Sequence, residues 1–175
     1  TGKTQQVVYF IANAMDERDK GFTLLEVVIA LLVLSIGLLG LAGLQTVGLR
    51  SNQMAIMRTL ATQSASDMSD RMHANPAGVD AQAYVFGLNA GRPATVVNCT
   101  AAPYSPAQLA GYDVDAWLTR LEGLPGGRGS ISRDVSGTMI THTVTVYWDE
   151  NRSGATGADC GSDLAVDLRC IQLTL

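Results

Sequence analysis

The sequence predicts an α+β protein in which one long N-terminal helix carries a small antiparallel sheet. Three patterns predict it. Residues 22–49 form an apolar run of helical length. Met54, Met57, Ala61, Ala65, Met68 and Met72 then recur at helical spacing, so the same helix continues with one apolar stripe. Thr138 to Asp149 alternates apolar with threonine or tyrosine side chains, the period of a strand. Composition narrows the function classes. With 16% charged residues and a net charge of −4, a basic nucleic-acid binder is disfavoured. At 47% hydrophobic the chain is too apolar to be wholly disordered. No lysine follows Lys20, so the later half is expected to offer no polybasic surface for anionic lipid or phosphate.

Taking the elements in order, residues 22–49 contain one charge, Glu26, and from Val27 to Leu44 Ser35 is the sole polar side chain. About 20 apolar residues cross a ~30 Å hydrocarbon core at ~1.5 Å per residue, so this segment reads as a membrane span. Every face is apolar, which argues against a buried helix of a soluble core. A cleaved secretory signal would carry a shorter apolar region ending at a small-x-small site, so any processing is expected before this run. Glu26 is the anomaly, because a carboxylate in an apolar span is costly and calls for a partner.

After Arg50 the helix turns amphipathic, with Asp67 and Arg71 spaced as an i,i+4 pair, and Asn75-Pro76 ends it. That makes a helix of about 50 residues, roughly 75–80 Å long. Residues 76–112, rich in Gly, Pro and Ala, read as an irregular connection. Val114, Trp117, Leu118 and Leu121 lie on one helix face, closed by Gly123 and Pro125. The glycines of 123–129 form a turn, since no lysine and Ser/Thr pair follows them as a phosphate loop requires. Strands are expected at Ser130–Val135, Thr138–Asp149 and Leu168–Leu175. Ile140, His142, Val144, Val146 and Trp148 share one strand face, where His142 reads as a packed core residue. His73 lies at the helix end, where a cation suits the dipole. Cys99, Cys160 and Cys170 contain no C-x-x-C pair, so no zinc site is expected. No catalytic set, metal cluster or cofactor motif stands out, and the chain is not read as an enzyme.

The string Gly21-Phe22-Thr23-Leu24-Leu25-Glu26-Val27, directly ahead of the apolar helix, resembles the processing motif of type IV pilins and type II secretion pseudopilins. The resemblance implies the type IV pilin fold. It also implies cleavage after Gly21 by a prepilin peptidase, which then N-methylates Phe22 as the first mature residue. Glycine suits the scissile position because it leaves the backbone open to close approach. Glu26 becomes the fifth mature residue, where its carboxylate can meet the new amine of a neighbouring subunit and set the axial register. Met15 would begin a seven-residue leader, and residues 1–14 are expected to be a mis-start or a cloning remnant. The expected organisation is therefore 1–14 extraneous, 15–21 leader, 22–49 transmembrane and filament-core helix, 50–75 amphipathic continuation, and 76–175 periplasmic head.

Leu31 to Gln45, together with Trp117-Leu118, Leu124-Pro125-Gly126-Gly127 and Val146-Tyr147-Trp148-Asp149, is similar to the PilV family of minor pilins. That resemblance implies a role in pilus assembly, twitching motility and adhesion. The implied partners are major pilin, minor pilins of the PilW, PilX and FimU type, and a tip adhesin. It places the chain in the inner membrane, N-terminus cytoplasmic and head periplasmic, for incorporation into the pilus. No proline interrupts residues 22–75; Gly37, Gly40, Gly43 and Gly48 are the expected points of helix flexibility. A head outside the cytoplasm permits disulfides. By analogy with pilins Cys160–Cys170 is the expected bridge, with Cys99 pairing to either as the alternative. A type II secretion pseudopilin is the alternative reading, and a bitopic receptor or enzyme a third.

Overall fold

The computed structural model describes residues 22–93, 104–163 and 165–175. Gly21, the expected leader 15–21, residues 1–14 and Cys99 lie outside them. The chain forms two compact units, Thr1–Leu49 and Arg50–Leu175. Helix α1, Leu24–Ala74, supplies the described helix of the first unit and runs on into the second.

In the first unit the helix has the expected extent and is unbroken through Gly37, Gly40, Gly43 and Gly48. Its hydroxyls are satisfied internally. Ser35 donates to the Leu31 carbonyl at 2.7 Å and Thr46 to that of Ala42 at 3.0 Å. A hydroxyl bonded one turn back presents little unmet polarity to hydrocarbon.

The second unit is built on the stripe the sequence marks. Ala61, Ala65, Met68 and Met72 are buried, with Met57 packed beside them. Trp117 belongs to the same core as Ala61 and Ala65, is fully buried and donates its Nε1–H to the Ser64 carbonyl at 3.0 Å. Asn75 and Pro76 end α1 as expected, but they also begin another helix. Pro76 is the first residue of α2, Pro76–Asp80, and Asn75 caps it by accepting from the Gly78 N–H at 3.2 Å. The fixed φ of proline suits a first helical turn, where its missing N–H is not needed.

The irregular connection expected over 76–112 is thus corrected twice. Helix α3 spans Pro106–Leu121 and starts eight residues ahead of Val114, the first residue of the apolar face that announced it. Ser105 accepts from the Gln108 N–H at 3.2 Å while Gln108 Oε1 accepts from the Ser105 N–H at 3.0 Å, a complete capping box ahead of Pro106.

Strands β1 (Arg128–Ser136), β2 (Met139–Trp148) and β3 (Arg169–Thr174) form one antiparallel sheet in the order β1-β2-β3. The β1–β2 hairpin turns at Gly137-Thr138, and Gly137 takes φ +64°, as a two-residue turn with glycine first requires. At Gly129 the sheet meets α3 closely: a Cβ there would lie 2.2 Å from Trp117.

The central strand departs from the simple alternation in two places. Ile140 is 50% exposed rather than core, because it sits beside the turn, paired with exposed Val135. Thr145 and Tyr147 are buried although they share the opposite face from Val144 and Val146. Tyr147 is the register partner of Cys170, and Cys170 is bonded to Cys160. Cross-strand partners share a face, so the disulfide holds the segment after β2 against this side.

That segment is also tied to α1. Glu150, whose side chain is 4% exposed, accepts from Arg58 Nε at 2.9 Å and from Arg169 Nε at 3.1 Å. Its pKa is held below the usual carboxylate range, chiefly by the Arg58 hydrogen bond. A carboxylate with a depressed folded pKa contributes stability above its unfolded value of about 4.3, and that contribution is lost as pH falls through the folded value. Glu150→Gln should therefore lower stability at pH 7 by about 1–2 kcal/mol, the lower part of the range because Arg58 is largely in water. The variant should also lose less stability than the parent between pH 5 and pH 3, as denaturant midpoints across that window will show.

Candidate functional site

The site begins where the described chain begins. Phe22 is 80% exposed, and Thr23 opens α1. The Glu26 N–H donates to both the Thr23 carbonyl at 3.0 Å and its Oγ1 at 3.2 Å, so a side chain and a main-chain group together close the first turn. Glu26 itself lies in that turn, exposed, where the positive end of the helix dipole favours a carboxylate. Among the described residues no cation pairs with it. Residues 27–44 behind it are exposed on every side, so an apolar helix of spanning length has no cover from the chain's described residues. Gly37, Gly40 and Gly43 lie within this helix, and a Cβ on any of them would meet nothing within 4 Å.

In the second unit the end of α1 is fixed by a polar cluster of which only the Asp67–Arg71 pair was expected from spacing. Arg71 donates to Asp67 at 2.9 Å, the expected i,i+4 pair, but also to buried Asp113 of α3 at 2.8 Å. Asp113 accepts in turn from the Tyr84 hydroxyl at 2.7 Å, and Asn75 donates to Tyr84 at 3.2 Å and to the Pro106 carbonyl at 2.8 Å. Burial and the neighbouring Asp113 push the Tyr84 hydroxyl pKa well up. An aspartate on an otherwise apolar helix face was the available signal. This cluster holds all its members in bonds to one another, an arrangement that positions helices and leaves no free acid or base for chemistry.

His142 is buried, 7% exposed, and its Nε2 has no partner among the described residues. Burial first, and Arg133 second, lower its pKa, so it is a neutral ring. It lines a cavity of about 200 Å³ with Met72, His73, Pro76, Val79, Asp80 and Leu175. His73 Nδ1 bonds the Ser69 carbonyl at 2.8 Å. Among the described residues no group of three or more His, Cys, Asp or Glu could hold a metal ion. The disulfide joins Cys160 and Cys170.

Residues 17–42 match the family model described as the prokaryotic N-terminal methylation motif. The motif marks a type IV pilin-like prepilin. Gly21, Phe22 and Glu26 all fall inside the match. It implies processing by a prepilin peptidase and incorporation into a pilus, and it points to a structural protein rather than an enzyme. With the uncovered apolar helix it fits a membrane-anchored pilin. The match stops at residue 42 and so does not extend to the second unit. No curated protein and no solved structure matches the chain.

Proposed function

We propose that this prepilin is a minor pilin of PilV type that helps initiate type IV pilus assembly. The observation that carries the pilin reading is the methylation motif placed directly on an apolar helix that no described part of the chain covers. The PilV assignment rests on the resemblance of the later segments. In this reading the peptidase cuts between Gly21 and Phe22, removes the leader 15–21 and methylates the Phe22 amine. Residues 22–49 first cross the inner membrane and later enter the filament core. The N-terminus stays cytoplasmic, and residues 50–75 with the head 76–175 project into the periplasm. Gly37, Gly40 and Gly43 lower the helix propensity there and let the helix unwind locally as the subunit leaves the bilayer. The head selects neighbours: minor pilins of the PilW, PilX and FimU type, a tip adhesin, and then major pilin.

A deletion strain separates this reading from its nearest rival. Surface pili and twitching should fall severely while major pilin stays abundant in the inner membrane and type II secretion is unaffected. The full chain, extracted in detergent, should co-purify with the other minor pilins. Normal pili with failed secretion would assign the chain to a secretion pseudopilus instead.

A further inference from the structure

The chain holds two Asn-x-Ser/Thr triplets, the acceptor signature for a glycan on an asparagine amide, and neither has a part in the pilin motif. Asn98-Cys99-Thr100 lies outside the described residues. Asn151-Arg152-Ser153 lies in the loop after β2, within the second unit, and its middle residue is not proline.

Such a triplet is short enough to arise by chance, so its surroundings decide. Residues 151–154 are all exposed. Arg152 and Gly154 take φ +54° and +78°, so the chain turns sharply as it leaves Asn151. The base of the turn hangs on Asp149, two residues before Asn151. Its buried carboxylate accepts from the Gly154 N–H at 2.7 Å and the Ser153 hydroxyl at 3.3 Å, and its carbonyl accepts from the Arg152 N–H at 3.3 Å. The loop is therefore anchored at one acid while its outer residues belong to no helix or strand. Both groups that define the triplet stand in reach of an enzyme. Asn151 Oδ1 makes one long contact, with Arg50 at 3.5 Å, and no acceptor among the described residues meets its Nδ2. The Ser153 hydroxyl is held by a single long bond in an exposed loop, so it can be released.

We propose that Asn151 is the acceptor of an N-linked oligosaccharide. The donor class is a polyprenyl-diphosphate oligosaccharide. Asn151 Nδ2 bonds to the anomeric carbon while the bond from that carbon to the diphosphate oxygen breaks. The diphosphate keeps the electron pair, and one amide proton passes to a base of the transferase. The inference rests on the proposed periplasmic head, since this transfer takes place outside the cytoplasm. The product is a bulky, solubilising group next to the Arg58–Glu150–Arg169 clamp.

Tryptic mapping by mass spectrometry of the full chain tests the proposal. The chain is extracted in detergent from cells that carry a periplasmic oligosaccharyltransferase and a lipid-linked oligosaccharide of known mass, and that modify a control acceptor. Peptide 134–152 should gain the mass of one oligosaccharide, placed on Asn151 by fragmentation, and should lack it in cells without the transferase. Asn151→Gln and Ser153→Ala should each abolish the gain, whereas Ser153→Thr, which keeps the hydroxyl, should retain it. A bare Asn151 in the transferase-bearing cells overturns the proposal. So does a mass that persists in Asn151→Gln, which would mark a glycan on a hydroxyl, or one that persists in Ser153→Ala. Modification confined to peptide 72–120, which holds Asn98, overturns it too. Protease added to spheroplasts keeps the two readings apart. A head that it cannot reach refutes the periplasmic placement and the glycan with it, whereas a digested head with bare Asn151 refutes the glycan alone.

Discussion

Glu26→Ala should leave processing and membrane insertion intact while its incorporation into pili falls at least tenfold. Removing a carboxylate from an apolar segment favours insertion, because the charge is costly there. Among the described residues no cation pairs with Glu26, and in the proposed reading a group of another chain compensates it. In the proposed assembly that group is the amine of a neighbour's processed Phe22. Leaving one member of a buried ion pair unpaired costs about 3–5 kcal/mol, which exceeds the 1.4 kcal/mol that separates tenfold populations. Glu26→Gln should fail similarly, since an amide cannot neutralise the amine. The readout is the ratio of the protein in sheared pili to that in the inner membrane. An unchanged ratio rejects the register role.

Trp117→Ala should be the most damaging single change in the head. The indole is fully buried, lies over Gly129 so closely that no Cβ fits there, and bonds Ser64 of α1. It therefore joins α1, α3 and β1 at one point. Truncating a buried tryptophan costs about 3–5 kcal/mol, a large share of the 5–15 kcal/mol typical of a folded domain. Trp117→Phe keeps much of the volume but loses the indole hydrogen bond, and should cost about half as much. Denaturant unfolding of the detergent-solubilised chain, followed by far-ultraviolet circular dichroism, measures both. A loss under about 1 kcal/mol for the alanine variant would mean that Trp117 does not hold the elements together.

The helix and the sheet were legible because their periods were strong. The stripe from Met57 to Met72 and the alternation over 138–149 each declare one buried face. Three features were not legible, for distinct reasons. The start of α3 at Pro106 is set by a cap, Ser105 with Gln108, ahead of an Ala, Gly and Tyr run that hides its apolar period. Asn75-Pro76 reads as a stop and serves also as a start, since the same proline geometry suits both. Thr145 and Tyr147 are buried on the face opposite Val144 and Val146, and burial of both faces is not revealed by alternation within one strand. At the N-terminal site, Phe22 and Glu26 were singled out by the resemblance of residues 21–27 to the prepilin motif, which is contiguous in sequence and lies inside the matched residues 17–42. The arginines on Glu150 were not, since Arg58 and Arg169 converge on it through the fold.

The most direct test of the central claim is the mass of the N-terminal peptide of the protein extracted from the membranes of peptidase-proficient cells. The pilin reading predicts a chain that begins at N-methylated Phe22, and the uncut chain when the peptidase is absent. A mature chain that begins elsewhere, or one that retains Gly21 in the presence of active peptidase, contradicts it.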